Sequence, residues 1–208
     1  MKLLAATRSA GKQREFRRIL EPAGVEVVFP DDAGLYPTSA EAALELGDTF
    51  EANARRKAEH FARLSGLPTV ADDSGLEVLS LGGAPGVRSR RWAGAGGTDT
   101  EVDAANNAEL LRRLVGAAGA RRGARYRCVL VYLTRSDAAP QTFEGTCAGR
   151  ILEAPRGEGG FGYDPYFFSD ELGKTFGEAT PEEKDRVSHR GRALRAFVRT
   201  LQPPGAAG

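Results

Sequence analysis

The chain alternates between short continuous apolar runs and stretches where apolar residues recur every three or four positions. Strands interleaved with amphipathic helices give that pattern. Residues 3–6 read as a short buried strand. Ser9 is placed to cap a helix that carries Phe16, Ile19 and Leu20 on one side and stops at Glu21-Pro22, where proline cannot continue it. Residues 25–29 read as a second strand, and 30–47 as a loop of acidic and small residues with a little helix around 40–44. Asp48 and Glu51 form a capping box ahead of a helix whose Phe50, Ala54, Ala58, Phe61 and Ala62 share one stripe. A strand over 67–71 follows, then a helix over 99–115 through Leu110, Leu111 and Leu114.

Residues 124–133 alternate at first and then become continuously apolar, as in a strand that passes from an edge to an interior. Residues 141–152 can pair with them as a hairpin. Thr180-Pro181-Glu182-Glu183 starts a helix with a cap, a proline in the first turn and a glutamate at the third position. A last helix is expected over 191–201 and a flexible tail at 203–208. No repeat and no linker divides the chain, so the expectation is one α/β domain over 1–202.

Composition narrows the function classes. The formal net charge is +1 over 208 residues, without the basic excess of a protein that lives on a nucleic-acid backbone. A membrane partner is not expected either: the apolar run at the start is too short for a signal-peptide core and no stretch reaches spanning length, so a cytoplasmic location is expected. Cys128 and Cys147, the two cysteines, sit in strand-like sequence and read as buried free thiols. His60 and His189 are far apart and do not make a zinc site with them.

Four clusters carry candidate chemistry. Thr7-Arg8-Ser9-Ala10-Gly11-Lys12 joins a strand to a helix start, where backbone N–H groups, a glycine and a lysine suit a phosphate chain. Its spacing is not that of a P-loop, and taken alone it is a solvated turn with a surface lysine. Asn53 and Lys57 lie four apart beside the apolar stripe of their helix; such a lysine usually just extends outward to water. Asp72-Asp73-Ser74-Gly75 follows a buried strand, and paired acids at a strand end suit metal binding and acid–base work, although Asp-Ser-Gly turns are common without function. Last, Gly159-Gly160-Phe161-Gly162-Tyr163-Asp164-Pro165, Lys184 and Ser188-His189-Arg190-Gly191 combine glycines around an aromatic ring with hydrogen-bond donors. That combination suits a flat ligand, or simply a loop over a core phenylalanine.

Together these segments resemble the non-canonical purine nucleoside triphosphate pyrophosphatases, the inosine/xanthosine triphosphatases of the HAM1-like group. The matching stretches are residues 7–12, 47–54, 71–76, 82–87, 159–165 and 181–191, in family order and over nearly the whole chain. The resemblance implies a two-lobed α/β fold with a long twisted mixed sheet flanked by helices, an active-site cleft between the lobes, and a homodimer. It assigns Thr7, Arg8, Ser9, Ala10, Gly11 and Lys12 to the phosphates, supported by Asn53 and Lys57. Asp73 becomes the proton acceptor and a Mg²⁺ ligand, with Glu45 as the other acidic ligand and Glu41 as its rival. Ser74, Phe161, Gly162, Tyr163, Asp164, Lys184, His189 and Arg190 would contact the nucleotide. The chain departs from the family pattern where Thr-Gly-Asn is replaced by Thr7-Arg8-Ser9, where Ala52 stands for a glutamate, and where Trp92 stands for a tyrosine.

The implied reaction is hydrolysis of ITP or XTP and their deoxy forms to the monophosphate and pyrophosphate, clearing damaged purines from the nucleotide pool. Oxygen ligands and water around Mg²⁺ suit a triphosphate. Lys12 and Lys57 would offset charge on the leaving pyrophosphate, and Asp72 is the alternative base. Lys184, His189 or Arg190 would donate to the 6-oxo group of hypoxanthine or xanthine and oppose the amino group of adenine. Two rivals stay open: a nucleotide-binding regulatory module without chemistry, and a hydrolase of broader nucleotide range.

Overall fold

In a computed structural model, residues 1–201 are described; the expected tail at 203–208 lies outside them. The strands are β1 (Lys2–Ala5), β2 (Glu26–Val28), β3 (Thr69–Val78), β4 (Gly123–Leu133), β5 (Gln141–Ile151), β6 (Phe167–Ser169) and β7 (Lys174–Thr175). They form a seven-stranded sheet in the order β2-β1-β3-β4-β5-β6-β7. The sheet is mixed. β1 runs parallel to β2, with Leu3 opposite Val27, and parallel to β3, with Ala5 opposite Val70. β6 is antiparallel to both β5 and β7. The helices are α1 (Ala10–Leu20), α2 (Phe50–Ser65), α3 (Asp99–Arg113), α4 (Pro181–Val187) and α5 (His189–Leu201).

The chain divides into two compact units. Among the described residues, the first comprises 1–73, 128–145 and 190–201; the second comprises 74–127 and 146–189. In the first unit, the two-residue period of the strands sorts side chains onto opposite faces of the sheet. Leu3, Ala5, Val70, Cys128 and Leu130 pack with Phe16 and Leu20 of α1 and with Ala193, Leu194 and Phe197 of α5. Their neighbours Leu4, Ala6, Ala71 and Val131 pack with Ala54, Ala58 and Phe61 of α2. In the second unit, Leu76, Val78, Tyr126, Phe167 and Phe176 surround Leu110 and Leu114 of α3 and Val187 of α4.

Most of the expected elements are present, with four differences. The cap of α2 is Thr49, whose Oγ1 accepts the Ala52 N–H at 3.1 Å, and Asp48 lies outside the helix and exposed. Both residues are good cap formers, and the chain takes the one that leaves Phe50 as first helical residue and buries it. β3 does not end at Ala71 but continues through both aspartates to Val78. α5 begins at His189, two residues early. β6 and β7, of three and two residues, were not expected, being too short to show a period. Cys128 and Cys147 are free and buried. No helix among the described residues is long and apolar enough to cross a membrane.

Candidate active site

Because β3 runs on as a strand, Asp72 and Asp73 point to opposite faces of the sheet. Asp72 joins Val70 on the α1/α5 side, and Asp73 joins Ala71 on the α2 side. Both are buried, at 1% and 6% relative exposure, so each carboxylate requires partners in place of water.

On the α1/α5 side, Lys12 Nζ donates to Asp72 Oδ1 at 3.1 Å and Arg190 Nε donates to Asp72 Oδ2 at 3.0 Å. Arg190 also pairs with Glu15, itself buried on α1. The Cys128 thiol lies 4.0 Å from Asp72 Oδ2. Burial alone would raise the Asp72 pKa, but Lys12, Arg190 and Lys57 outweigh it and hold this carboxyl far below its usual range. Burial next to that negative charge pushes the Cys128 thiol well above its ordinary value, which leaves it inert at neutral pH.

The start of α1 is ordered by its own side chains. Ser9 Oγ accepts the Lys12 N–H at 3.5 Å, Thr7 Oγ1 accepts the Ser9 N–H at 3.2 Å, and Gln13 Nε2 donates to the Thr7 carbonyl at 3.2 Å. Ser9 thus caps α1, as its position in the sequence predicts. Arg8, where the pattern has glycine, turns to the 30–47 segment. Its guanidinium donates to Glu41 Oε2 at 2.7 Å and to the Leu35 carbonyl at 2.8 Å.

On the α2 side, Asn53 Nδ2 donates to Asp73 Oδ2 at 2.9 Å, and Lys57 Nζ lies 3.5 Å from Asp73 Oδ1 and 2.8 Å from Glu45 Oε1. Asn53 Oδ1 accepts the Gly47 N–H at 2.7 Å. A Cβ on Gly47 would stand 2.6 Å from that same oxygen, so the close approach requires glycine. Lys57 is pulled in opposite directions: burial lowers its pKa, and Glu45 with Asp73 raises it further, so it stays protonated. Glu45 is held low chiefly by Lys57. Asp73 moves the other way: burial exceeds the help from Lys57 and Lys12 and raises its pKa. Of two adjacent aspartates, one has its pKa held below the ordinary value and the other has it raised above.

The two glutamates proposed as second acidic ligand have different partners. Glu41 is held by Arg8, whereas Glu45 shares the Lys57 ammonium with Asp73. The Glu45 and Asp73 carboxylates are hard oxygen donors of the kind that suits a small divalent cation completed by water and phosphate oxygens. Among the described residues, no three His, Cys, Asp or Glu side chains cluster tightly enough to cage an ion by themselves.

In the second unit the 159–165 segment folds around Asp164. One carboxylate oxygen, Oδ2, accepts the Phe161 N–H at 2.8 Å and the Lys184 ammonium at 2.6 Å, while Tyr126 Oη lies 3.3 Å from Oδ1. The Asp164 side chain fills the space a Cβ on Gly160 would need, 2.1 Å from Oδ2, and Gly160 also has φ +76°. Lys184 Nζ sits 4.7 Å from the centroid of the Phe161 ring, a cation–π distance. His189 stacks on Tyr126 at 4.6 Å between centroids, nearly parallel. Tyr163 is buried, and its hydroxyl donates to the Ser89 carbonyl at 2.8 Å. Ser74 follows Asp73 in β3, half-buried.

The site residues named from sequence therefore fall into two sets. Residues 7–12, Glu45, Asn53, Lys57, Asp73 and Arg190 belong to the first unit; Ser74, Phe161, Gly162, Tyr163, Asp164, Lys184 and His189 belong to the second. Arg190, expected beside the nucleotide, directs Nε and Nη1 at Asp72 and Glu15. Sequence reasoning missed Glu15 altogether, although a glutamate next to Phe16 on the apolar side of α1 was a visible anomaly.

The Ham1 family model matches residues 3–200 of this sequence. The chain belongs to the Ham1 family. Among its relatives, a dITP/XTP pyrophosphatase of Ralstonia nicotianae is 46% identical over 97% of this chain and 96% of its own length. One of Thermus thermophilus with the same name is 47% identical over 98% and 94%. Among solved structures, a HAM1 protein from Coxiella burnetii superposes with a TM-score of 0.82 at 35% identity, covering 97% of this chain and 98% of that one. A nucleoside-triphosphatase / dITP/XTP pyrophosphatase from Mycobacterium abscessus gives 0.71 at 44% identity, covering 95% and 98%. The Ham1 fold thus accommodates the Thr7-Arg8-Ser9 departure through the Arg8–Glu41 pair and the Ser9 cap.

Proposed function

We propose that this protein hydrolyses dITP and XTP, with their ribo- and deoxyribo-counterparts, to the monophosphate and pyrophosphate. The observation that carries the reading is the Asn53–Asp73–Lys57–Glu45 cluster: a carboxyl whose pKa burial has raised, held beside an ammonium and a second carboxylate. The names and close similarity of the relatives support the same chemistry.

In this reading Asp73 accepts a proton from water as the water oxygen bonds to the α-phosphorus. The bond from that phosphorus to the oxygen bridging the α- and β-phosphates breaks, and the electron pair leaves with pyrophosphate. A positioned base of this kind contributes about 10²–10⁴-fold. Asn53 fixes the direction of the Asp73 carboxylate. Lys57 and Lys12 supply fixed positive charge for the phosphate chain, in an arrangement that needs no reorganisation during the reaction. The first turn of α1 offers backbone N–H groups and a favourable dipole to the same anion. Glu45 and Asp73 would hold Mg²⁺, whose charge, when bound, offsets that of the phosphate oxygens. The partners of Asp72 favour Asp73 as the base: an anion fixed by Lys12 and Arg190 takes up a proton less readily.

The second set suits a purine base. The Phe161 face offers a stacking surface, and Lys184 and His189 supply donors that suit a 6-oxo purine and oppose the 6-amino group of adenine. The test is a panel of nucleoside triphosphates assayed with Mg²⁺ for both pyrophosphate and orthophosphate. Pyrophosphate from XTP and dITP, far faster than from ATP, is expected. Stepwise orthophosphate release, or equal rates on ATP and pyrimidine nucleotides, would refute the assignment.

A further inference from the structure

The segment that carries Phe161 and Asp164 contains Gly159, Gly160 and Gly162, so its own backbone resists ordering more than most loops do. Its local hydrogen bonds converge on the Asp164 carboxylate, which accepts from the Phe161 N–H and the Lys184 ammonium, and they leave the peptide groups of Gly162 to be satisfied from elsewhere. Helix α3 satisfies both. Asp103 Oδ2 accepts the Gly162 N–H at 2.7 Å, and Asn107 Nδ2 donates to the Gly162 carbonyl at 2.9 Å. The two side chains lie four residues apart, hence on one face of α3, and they grip one residue from both sides. Gly162 has φ +65°, in the left-handed region, so the grip also fixes a backbone state that the rest of the loop does not select.

We propose that Asp103 and Asn107 are positioning residues that set substrate affinity by clasping Gly162 and thereby fixing the Phe161 ring and the Asp164 carboxylate. The inference rests on the reading that this segment meets the base. α3 is itself anchored next to the clasp: Asn106 Oδ1 accepts the Ala93 N–H at 2.8 Å, Asn106 Nδ2 donates to the Arg90 carbonyl at 3.0 Å, and Arg90 Nη1 lies 3.3 Å from Asp103 Oδ1. The Tyr163 hydroxyl, on the Ser89 carbonyl, holds the next residue of the loop to the same turn. A loosened clasp adds an ordering step to every binding event, and that lowers affinity in proportion to the fraction of molecules in the competent state. The chemistry at Asp73 is untouched, so the effect belongs in KM and not in kcat.

Three variants of the full-length protein separate the possibilities. Asp103→Ala removes the acceptor. Asn107→Asp keeps the shape but replaces the donor with an oxygen that faces the Gly162 carbonyl. Asp103→Asn retains an acceptor oxygen and loses only the charge shared with Arg90. Hydrogen–deuterium exchange of residues 159–165 is measured without nucleotide, and KM and kcat are measured on XTP with Mg²⁺. Asp103→Ala and Asn107→Asp should each speed exchange in that segment and raise KM about 5-fold or more, the equivalent of one lost hydrogen bond, with kcat nearly unchanged. Asp103→Asn should stay close to the parent in both. Unchanged exchange and KM in the two disruptive variants would overturn the proposal, as would a fall in kcat alone. So would an Asp103→Asn variant as impaired as Asp103→Ala, which would assign the effect to the Arg90 ion pair. A parent protein inactive on every purine triphosphate would instead sink the proposed function, while faster exchange in the variants would still establish the clasp.

Discussion

The two faces of β3 treat adjacent, chemically identical side chains in opposite ways. On the α1/α5 face, Asp72 meets Lys12 and Arg190, and Glu15 completes a buried network of two cations and two anions. On the α2 face, Asp73 meets a neutral amide at 2.9 Å and an ammonium at 3.5 Å that lies closer to Glu45. Burial penalises both charges. The number and distance of the opposing cations decide that Asp72 falls below the ordinary range and Asp73 rises above it. A carboxylate held in an ion network and a carboxyl with a raised pKa therefore stand one residue apart in a single strand. In the proposed function, the first holds elements together and the second accepts the proton.

The sharpest way to break this comparison is Asp73→Asn. Turnover of XTP should fall by about 10²–10⁴-fold, the contribution of a positioned base. Thermal unfolding should stay at the parent temperature or above it, because the variant removes a carboxylate that burial disfavours. A melting temperature well below the parent would show that Asp73 supports the fold and would erase the contrast. Asp72→Ala tests the other face. It leaves Arg190 and Lys12 without their shared carboxylate, and breaking a buried pair from one side costs about 3–5 kcal/mol. Urea denaturation should show that loss, and a loss below 1 kcal/mol would mean the network contributes little.

Acidification gives the smallest effect, and its sign differs for the two residues. A carboxyl with a depressed folded-state pKa stabilises the protein above its unfolded value, near 3.9, and that stability is lost as pH falls through the folded value. Asp72, and more weakly Glu45, belong to this class. Asp73, with a raised value, contributes stability below about pH 3.9 that is lost as pH rises through its folded value. Without divalent cations, the urea midpoint of the parent should drop below about pH 4. Asp72→Ala should flatten that drop, and Asp73→Asn should gain on the parent as pH rises above it. Equal acid slopes in the parent and Asp72→Ala would contradict the assignment.

Much of the site was legible in the chain, for reasons that differ by residue. Ser9 and Thr180 announced their helices because caps are local chemistry, read within three residues. The choice of Thr49 over Asp48 was not legible, since both can cap and only the burial of Phe50 separates them. The paired aspartates read as lying just past the end of a strand, because a strand that buries two carboxylates is implausible until their cations are known. Those cations come from positions 12, 57 and 190. Asp103 and Asn107 carried no signal as a clasp, since their partner is a peptide group 55 or more residues away.

The sequence by itself determined much of the local geometry: where the longer strands and helices lie, where most helices begin, and that residues 72 and 73 must face opposite ways if they lie in a strand. Periodicity and capping act between neighbours, so they can be read from neighbours. Which charges meet those two carboxylates, and hence which one holds its proton more tightly, was decided only when separate helices closed over the sheet. Electrostatic energy depends on distance through space and on the exclusion of water, and neither exists until the chain has folded.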